Sequence, residues 1–480
     1  MKIPNHVIQT VKDIQGSNYE AYIVGGCVRD TLMDREPKDW DITTNARPEE
    51  ILKIFPDAKY ENDFGTVLLP IREEKDGEVL DVLEITTYRS EQGYSDRRHP
   101  DEVVFETELD KDLERRDFTI NALAMDPLKN NEVVDLFGGE KDVKKRVVRA
   151  VGEPSDRFKE DALRMLRAVR FSAQLNFDLE PKTQRAITKL AGALKFVSKE
   201  RVKDELIKIL DSGKPYGGIL LLQDCKLLQY ILPELEQGIG VKQDRHHIHT
   251  VFEHNMLALK HCPNPDWRVR FAALLHDIGK PKTKKIIKGI GTFYNHEYVS
   301  AKMADRIMTR LKFSNDDRER VVNLVKNHMF YYNTGEVTAA SVRRLIAKVG
   351  KENLSDLIDL RVADRLGSGT PKAMPYRLRH LQYMMEKVQN DPVSVKMLKI
   401  NGDDLIKVLK IEPGPKIGAI LDVLLSEVLE DPKLNIAKDL KNRAKDLDKF
   451  ELKELREKAR EAIEEKRHED DIKIKKQYKV

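Results

Sequence analysis

Residues 21–45 read AYIVGGCVRDTLMDREPKDWDITTN, and the way this stretch divides into elements decides the fold of the first third of the chain. Tyr22, Ile23 and Val24 are aromatic or β-branched and run into Gly25-Gly26, which predicts a strand stopping at a tight turn. Cys27-Val28-Arg29-Asp30 then opens a helix. Paired glycines at such a start let backbone amides approach phosphate oxygens, and the helix dipole favours an anion there. Arg29 can add a bidentate contact through its guanidinium fork. Trp40-Asp41-Ile42-Thr43 predicts a second strand. Side chains alternate across a strand with a rise of ~3.3 Å per residue, which would set Asp39 and Asp41 on one face, close enough to share metal ions. Hard carboxylate oxygens suit Mg²⁺, and phosphoryl transfer uses such ions to bridge a triphosphate and an attacking hydroxyl. Alone, the glycines are most simply a turn and the acids a pair of solvated charges. Together, at this spacing, they form a joint signal.

Outward from this stretch, Thr66 to Ile71 and Leu80 to Thr87 predict further strands, the second carrying Glu84 as a candidate third carboxylate. After Asp135-Leu136-Phe137-Gly138-Gly139 the character changes. From Ser155 onward nearly every segment has helical apolar spacing. The expectation is an α+β multidomain chain, a mixed head followed by an all-helical body, divided as residues 1–150, a neck at 151–240, a histidine-rich unit at 241–370 and a helical body and tail at 371–480. Pro215-Tyr216-Gly217-Gly218 and Gly238 to Gln243 read as turns or linkers. The segment from Lys438 onward alternates charges over weak apolar spacing and reads as an exposed helix pair or frayed tail.

A chain of 480 residues exceeds one compact domain. Its 40% hydrophobic and 35% charged residues describe a helix-rich protein with a well-solvated surface. The longest apolar runs, near Ile219 to Leu222 and Phe271 to Leu275, fall far short of the ~20 residues a membrane span needs. The N-terminus has no apolar signal core, so a cytoplasmic protein is expected. Cys27, Cys225 and Cys262 form no CxxC pair, which argues against a disulfide framework or a zinc–thiolate site. A net charge of +4 identifies no polyanion partner by itself. Local basic clusters at Lys199 to Lys203, Lys280 to Lys288 and Lys438 to Arg443 are the candidate contacts for one, although each alone is most simply a solvated face.

GGCVRD and KDWDITTN are followed in order by YRSEQGYSDRRHPDEVVF, LERRDFTINALAMD, VDLFGGEKDVKKRVVRAVGEP and EDALRMLRAVRFSAQLNF. This run, over roughly residues 20–235, resembles the superfamily of tRNA nucleotidyltransferases and bacterial poly(A) polymerases, of the bacterial type with a polymerase-β-like head. The resemblance implies Asp39 and Asp41 as ligands of Mg²⁺, and Gly26 and Arg29 as triphosphate contacts. It makes Arg115 and Arg116 candidates for phosphate binding, with Arg116 preferred, and Asp117 and Asn121 ribose-binding or site-ordering residues. Glu160 to Arg164 lies in a strongly helical run, where Asp161 and Arg164, three apart, would be neighbours on one face. A carboxylate supplies acceptors and a guanidinium donors, so the pair can imitate a Watson–Crick edge. The resemblance implies that this is an amino-acid template selecting C and A over U and G. Arg167 lies a turn further on and, with Arg170, is counted among the nucleotide-binding candidates. Arg170, about half a turn around from Asp161 at ~100° per residue, would support the site or meet RNA. The loop Tyr88 to Pro100, with Gly93, Tyr94, Asp96 and Arg97, matches a mobile loop that in this family helps the switch from C to A. Its undeleted length favours full CCA addition to tRNA from CTP and ATP, with A-only addition and poly(A) synthesis as alternatives.

A second resemblance covers the histidine-rich unit. HTVFEHNMLAL, RFAALLHDIGKPKT, NHEYVSAKMADRIM, VKNHM and RVADRLGSG resemble an HD-type metal phosphohydrolase domain. That implies His254, His276, Asp277 and Asp364 as metal ligands, with His296 and His328 as candidates for a second ion. Imidazole with carboxylate suits a transition metal or Mg²⁺. Phosphatase or 2′,3′-cyclic phosphodiesterase action on tRNA ends is the expected chemistry. Residual structural use of the fold, or a chain that is chiefly a hydrolase, are the alternatives. No RNA-recognition motif with stacking aromatics is present, so shape and phosphate contacts would hold the RNA.

Overall fold

The computed structural model describes residues 3–62, 65–72, 78–92, 102–243, 248–330, 332, 337–370, 372–388, 391–392 and 394–459. Gly93, Tyr94, Asp96 and Arg97 of the expected switch loop, His246, and the tail beyond 459 lie outside the described residues. Two compact units are formed, Met1–Glu236 with Ile307–Phe313, and Gln237–Arg306 with Ser314–Val480. Among the described residues no helix is long and apolar enough to cross a membrane.

The first unit opens with a mixed sheet. Its strands are β1 (Ala21–Val24), β2 (Asp41–Thr44), β3 (Lys59–Asn62), β4 (Thr66–Arg72) and β5 (Val79–Thr87), then, beyond the separate pair β6 (Arg89–Gln92) and β7 (Glu102–Phe105), β8 (Ala124–Asp126) and β9 (Glu132–Val134). Seven of them form one sheet in the order β3-β4-β5-β2-β1-β8-β9. β2 pairs antiparallel with β1 and parallel with β5, so Asp41 stands opposite Glu84. Along β5 the alternation is clean: Leu83, Ile85 and Thr87 are buried while Glu84 is exposed, the pattern of a strand with one covered face.

Helices follow the head, from Pro154–Glu160 and Leu163–Leu175 through Lys199–Leu210 and Pro215–Asp224. Pro215 to Gly218, expected as a turn or linker, instead starts the last of these helices with proline in its first turn. A Cβ on Gly218 would lie 2.5 Å from Ile209 Cγ2 and 3.1 Å from Ala173 Cβ, so this glycine allows close helix packing.

In the second unit, helices Val251–Lys260, Trp267–Leu275, Asn315–Asn327 and Leu354–Gly367 pack together around the histidines. The body is not wholly helical, as was expected: Lys285–Ile287 and Ile290–Thr292 form a hairpin. Its turn residues, Lys288 and Gly289, have φ of 51° and 77°, the positive-φ pair of a type I′ turn.

The segment from Lys438 is not a frayed tail in its described part. Leu440, Ala444 and Leu447 of helix Ala437–Leu447, with Leu455 beyond it, are buried with Leu405, Ile420, Leu424 and Val428. Arg343 closes the preceding helix, donating to the Leu429 and Glu430 carbonyls at 2.8 and 2.9 Å. Leu447→Ala is expected to destabilise this unit by about 2–5 kcal/mol, the cost of a core leucine deletion. The check is the urea midpoint, and a shift indistinguishable from zero would mean that the helix is not packed in solution.

Candidate active site and metal centre

At the end of β1, Gly25 adopts φ +88°, a backbone that a side chain strains. A Cβ there would lie 3.0 Å from Arg116 Nη1 and 3.7 Å from Asp41 Oδ2. The glycine turn, one catalytic candidate carboxylate and the preferred arginine therefore meet at one point. Cys27, just inside the helix Gly26–Leu32, donates its thiol to the Val24 carbonyl at 3.2 Å. Burial pushes that thiol up to about 12, which makes it a packing group.

Asp41 begins β2, but Asp39 lies before the strand, in an exposed bend. The expectation that strand alternation aligns the pair is corrected: the chain becomes a strand only at Asp41. Their charges nevertheless interact. Burial raises the Asp41 carboxyl above its ordinary range, Arg116 pulls it back, and Asp39 raises it further. Glu84 is raised by its partial burial and then by Asp41, with Asp39 contributing. A carboxyl raised beside neighbouring acids, as Asp41 and Glu84 both are, belongs to a donor set that fits a divalent cation.

Behind them the phosphate-binding candidates are tied into a network. Arg29, 7% exposed, lies with Nη2 against Gly26. It donates to Asp30 at 2.9 Å and to Asn121 Oδ1 at 2.6 Å. Asn121 donates in turn to Asp117 at 3.2 Å, and Arg167 Nε donates to the other oxygen of Asp117 at 2.7 Å. Arg29, Arg167 and Arg170 all lie over the Phe171 ring. Arg170 is buried beside Glu205, Nε to Oε2 3.2 Å, and burial lowers its guanidinium to about 10. Its burial and this ion pair fit the expectation that it supports the site.

Asp112 was not among the sequence candidates. It sits on helix Leu109–Glu114 with its side chain at 0% exposure. It accepts from Arg115 Nη2 at 2.6 Å, Arg116 Nη2 at 3.2 Å and Thr43 Oγ1 at 3.3 Å. Against its burial, the two guanidiniums hold it below the ordinary carboxylate range. The signal was in Asp112-x-x-Arg115-Arg116, since residues three and four apart share a helix face.

The base-selecting candidates are placed otherwise than expected. Asp161 is not inside a helix but ends Pro154–Glu160 in extended backbone, φ −139°, ψ 109°. Its Oδ1 accepts from Leu163 N at 2.9 Å and caps the next helix. Arg201, expected in an RNA-facing basic cluster, instead holds it with Nη2 2.6 Å from Oδ2. Arg164 ion-pairs with Glu160 and donates to the Arg115 carbonyl at 3.1 Å. Each of the two is thus fixed by its own partner.

In the second unit His254, His276 and Asp277 form one group of convergent ligand atoms, and Asp277, His296 and His328 a second. His254 Nε2 lies 3.0 Å from His276 Nε2, 3.2 Å from Asp277 and 3.3 Å from Asp364. All six residues are buried. His276, His296 and His328 each place Nδ1 2.7–2.8 Å from the carbonyl three residues earlier. A carbonyl can only accept, so Nδ1 carries a proton, and the neutral ring then has its lone pair on Nε2, the atom facing the centre. Burial, followed by the neighbouring His276, lowers His328 to about 3, which keeps it neutral. Asp277 Oδ1 and His296 Nε2 lie 3.1 Å apart yet neither makes a hydrogen bond. Such inward-facing lone pairs in a buried imidazole–carboxylate set fit divalent cations. Lys280, expected in an RNA-facing cluster, is buried instead, with Nζ 2.6 Å from Asp277 and 2.7 Å from Gln243.

Residues 21–149 match the Poly A polymerase head domain, 176–239 the "Probable RNA and SrmB- binding site of polymerase A", and 251–368 the HD domain. The A-adding tRNA nucleotidyltransferase of Deinococcus radiodurans is 35% identical over 421 residues, 84% of this chain and 90% of that protein. The CCA-adding enzyme of Enterococcus faecalis is 32% identical over 441 residues, 89% of this chain and 93% of that protein. Among solved structures, Bacillus stearothermophilus CCA-adding enzyme in complex with CTP is similar with a TM-score of 0.69 at 26% identity, covering 93% of this chain and 98% of that one.

Proposed function

Since the chain belongs to the family of CCA-adding and A-adding tRNA nucleotidyltransferases, we propose that it adds C, C and A to tRNA 3′ ends from CTP and ATP without a nucleic-acid template. The observation that carries this is the meeting of Asp41 and Arg116 at the Gly25 turn, with Glu84 opposite Asp41 on the neighbouring strand. In the reaction the tRNA 3′-hydroxyl oxygen bonds to the α-phosphorus and releases its proton to solvent, the bond from that phosphorus to the bridging β-phosphate oxygen breaks, and pyrophosphate leaves with its electron pair. A divalent cation, proposed as Mg²⁺ and held by Asp39, Asp41 and Glu84, supplies Lewis acidity to hydroxyl and phosphate when bound. Arg116 and the amides after Gly25 hold the triphosphate. Asp117 and Asn121 order Arg29 and Arg167 around it. Asp161 and Arg164 present acceptor and donor edges to the incoming base. Such a chain works where tRNA is matured, in the cytoplasm. At the histidine centre we propose a divalent metal and phosphoester hydrolysis, a reading supported by the donor set and the HD-domain match.

The test incubates purified protein with tRNA lacking CCA, Mg²⁺ and each nucleotide singly and together. CTP alone should add two residues, and CTP with ATP should complete CCA. Addition of A only to tRNA ending in CC would mean the A-adding activity, and long A tails a poly(A) polymerase. No incorporation would sink the proposal. Asp161→Ala should lower discrimination against UTP and GTP by about 10- to 100-fold, since a site built to hydrogen-bond a base loses its penalty for wrong partners. Unchanged selectivity would remove Asp161 from base choice.

A further inference from the structure

We infer that Asp112 is a positioning residue for nucleotide addition, holding the Arg116 guanidinium in register with the metal-binding strand. The inference rests on the proposed polymerase reading of the head. Three observations carry it. The carboxylate is wholly buried, and its oxygens are taken by Arg115, Arg116 and Thr43. A buried charge is tolerated only when its partners are well placed, so this group fixes them. Thr43 stands two residues after Asp41 on the same strand and therefore on the same face. Asp112 thus joins the strand bearing Asp41 to the helix end bearing Arg116. Arg116 itself is held by Nη2, with Nη1 at the Gly25 turn and Nε buried without a hydrogen bond. One end of the fork is anchored and the other points where the triphosphate is proposed to lie. Asp112 touches neither nucleotide nor metal in this scheme; it acts through Arg116.

Asp112→Asn keeps the shape and removes the charge. Addition kinetics on the full chain, at a temperature well below each variant's unfolding midpoint, should show the KM for CTP raised about 10- to 100-fold, the loss of one charge-assisted contact. The KM for tRNA should stay within about twofold. In the Asp112→Asn background, Arg116→Ala should cost under about threefold more, because coupled residues are not additive. A purely structural role would lower active protein without this split. An unchanged KM for CTP, or the full Arg116→Ala loss retained in the variant, overturns the inference. If Asp112→Asn does not fold, Thr43→Val decides: the same KM split at about two- to fivefold supports the inference, and a wild-type KM for CTP overturns it. Failure of the polymerase reading would show separately, as wild-type protein that incorporates neither C nor A.

Discussion

Asp41→Ala is expected to cut nucleotide addition by at least about 1,000-fold, the equivalent of roughly 4 kcal/mol of transition-state stabilisation. Asp41 is the acid that touches both halves of the proposed site. Its Oδ2 lies against the Gly25 turn, and its strand register sets it opposite Glu84. Removing it leaves Asp39, which projects from a bend, and Glu84, with no donor between them. The fold should survive, because Asp41 is only partly buried and heads a strand whose remaining residues are Ile42, Thr43 and Thr44. Primer extension on tRNA lacking CCA measures the loss, and the thermal midpoint checks the fold. Retention of more than about a tenth of the activity would contradict the proposed ligand role.

Asp277→Ala should have the second largest effect, on the other unit. Asp277 alone belongs to both groups of convergent ligands, so its removal should weaken divalent-metal binding at the histidine centre by at least about 100-fold. His296→Ala should disturb one group and leave the other. Asp277→Ala also strands buried Lys280, whose ammonium lies 2.6 Å from Asp277. An uncompensated buried charge typically costs about 3–5 kcal/mol. Cobalt titration followed by visible absorption reads the imidazole-ligated ion, and an Asp41→Ala background silences the head. Addition of C and A should persist in Asp277→Ala protein. Cobalt binding at wild-type affinity would remove Asp277 from the ligand set.

The head was the most legible part of the sequence because its signals are local. A β-branched run ending in Gly25-Gly26 announces a strand and turn, and β5 shows its alternation directly. What local pattern cannot supply is where pairing begins. Asp39 and Asp41 have strand spacing, yet after Pro37 the chain still bends at Asp39. Asp161 was misplaced for a related reason: helical periodicity on both sides hides a junction whose defining bond, from Leu163 N to the Asp161 carboxylate, is a cap. Lys280 was read from the basic run around it, but burial is decided by the tertiary partners Asp277 and Gln243. For the segment from Lys438 the signal was present and outweighed. Leu440, Ala444 and Leu447 keep helical spacing, and dense charge on the other positions obscured the stripe. The histidines were legible as an ordered set, whereas their orientation depends on backbone carbonyls that no side-chain pattern reveals.

Those carbonyls have a consequence for chemistry over time. With Phe293, Ala273 and Val325 each clamping a ring by its outer nitrogen, the imidazoles are aimed before any ion arrives. Chelation should therefore empty the pocket without unfolding its walls, and re-addition of cation should restore occupancy at the pace of diffusion and dehydration, with no refolding step to wait for.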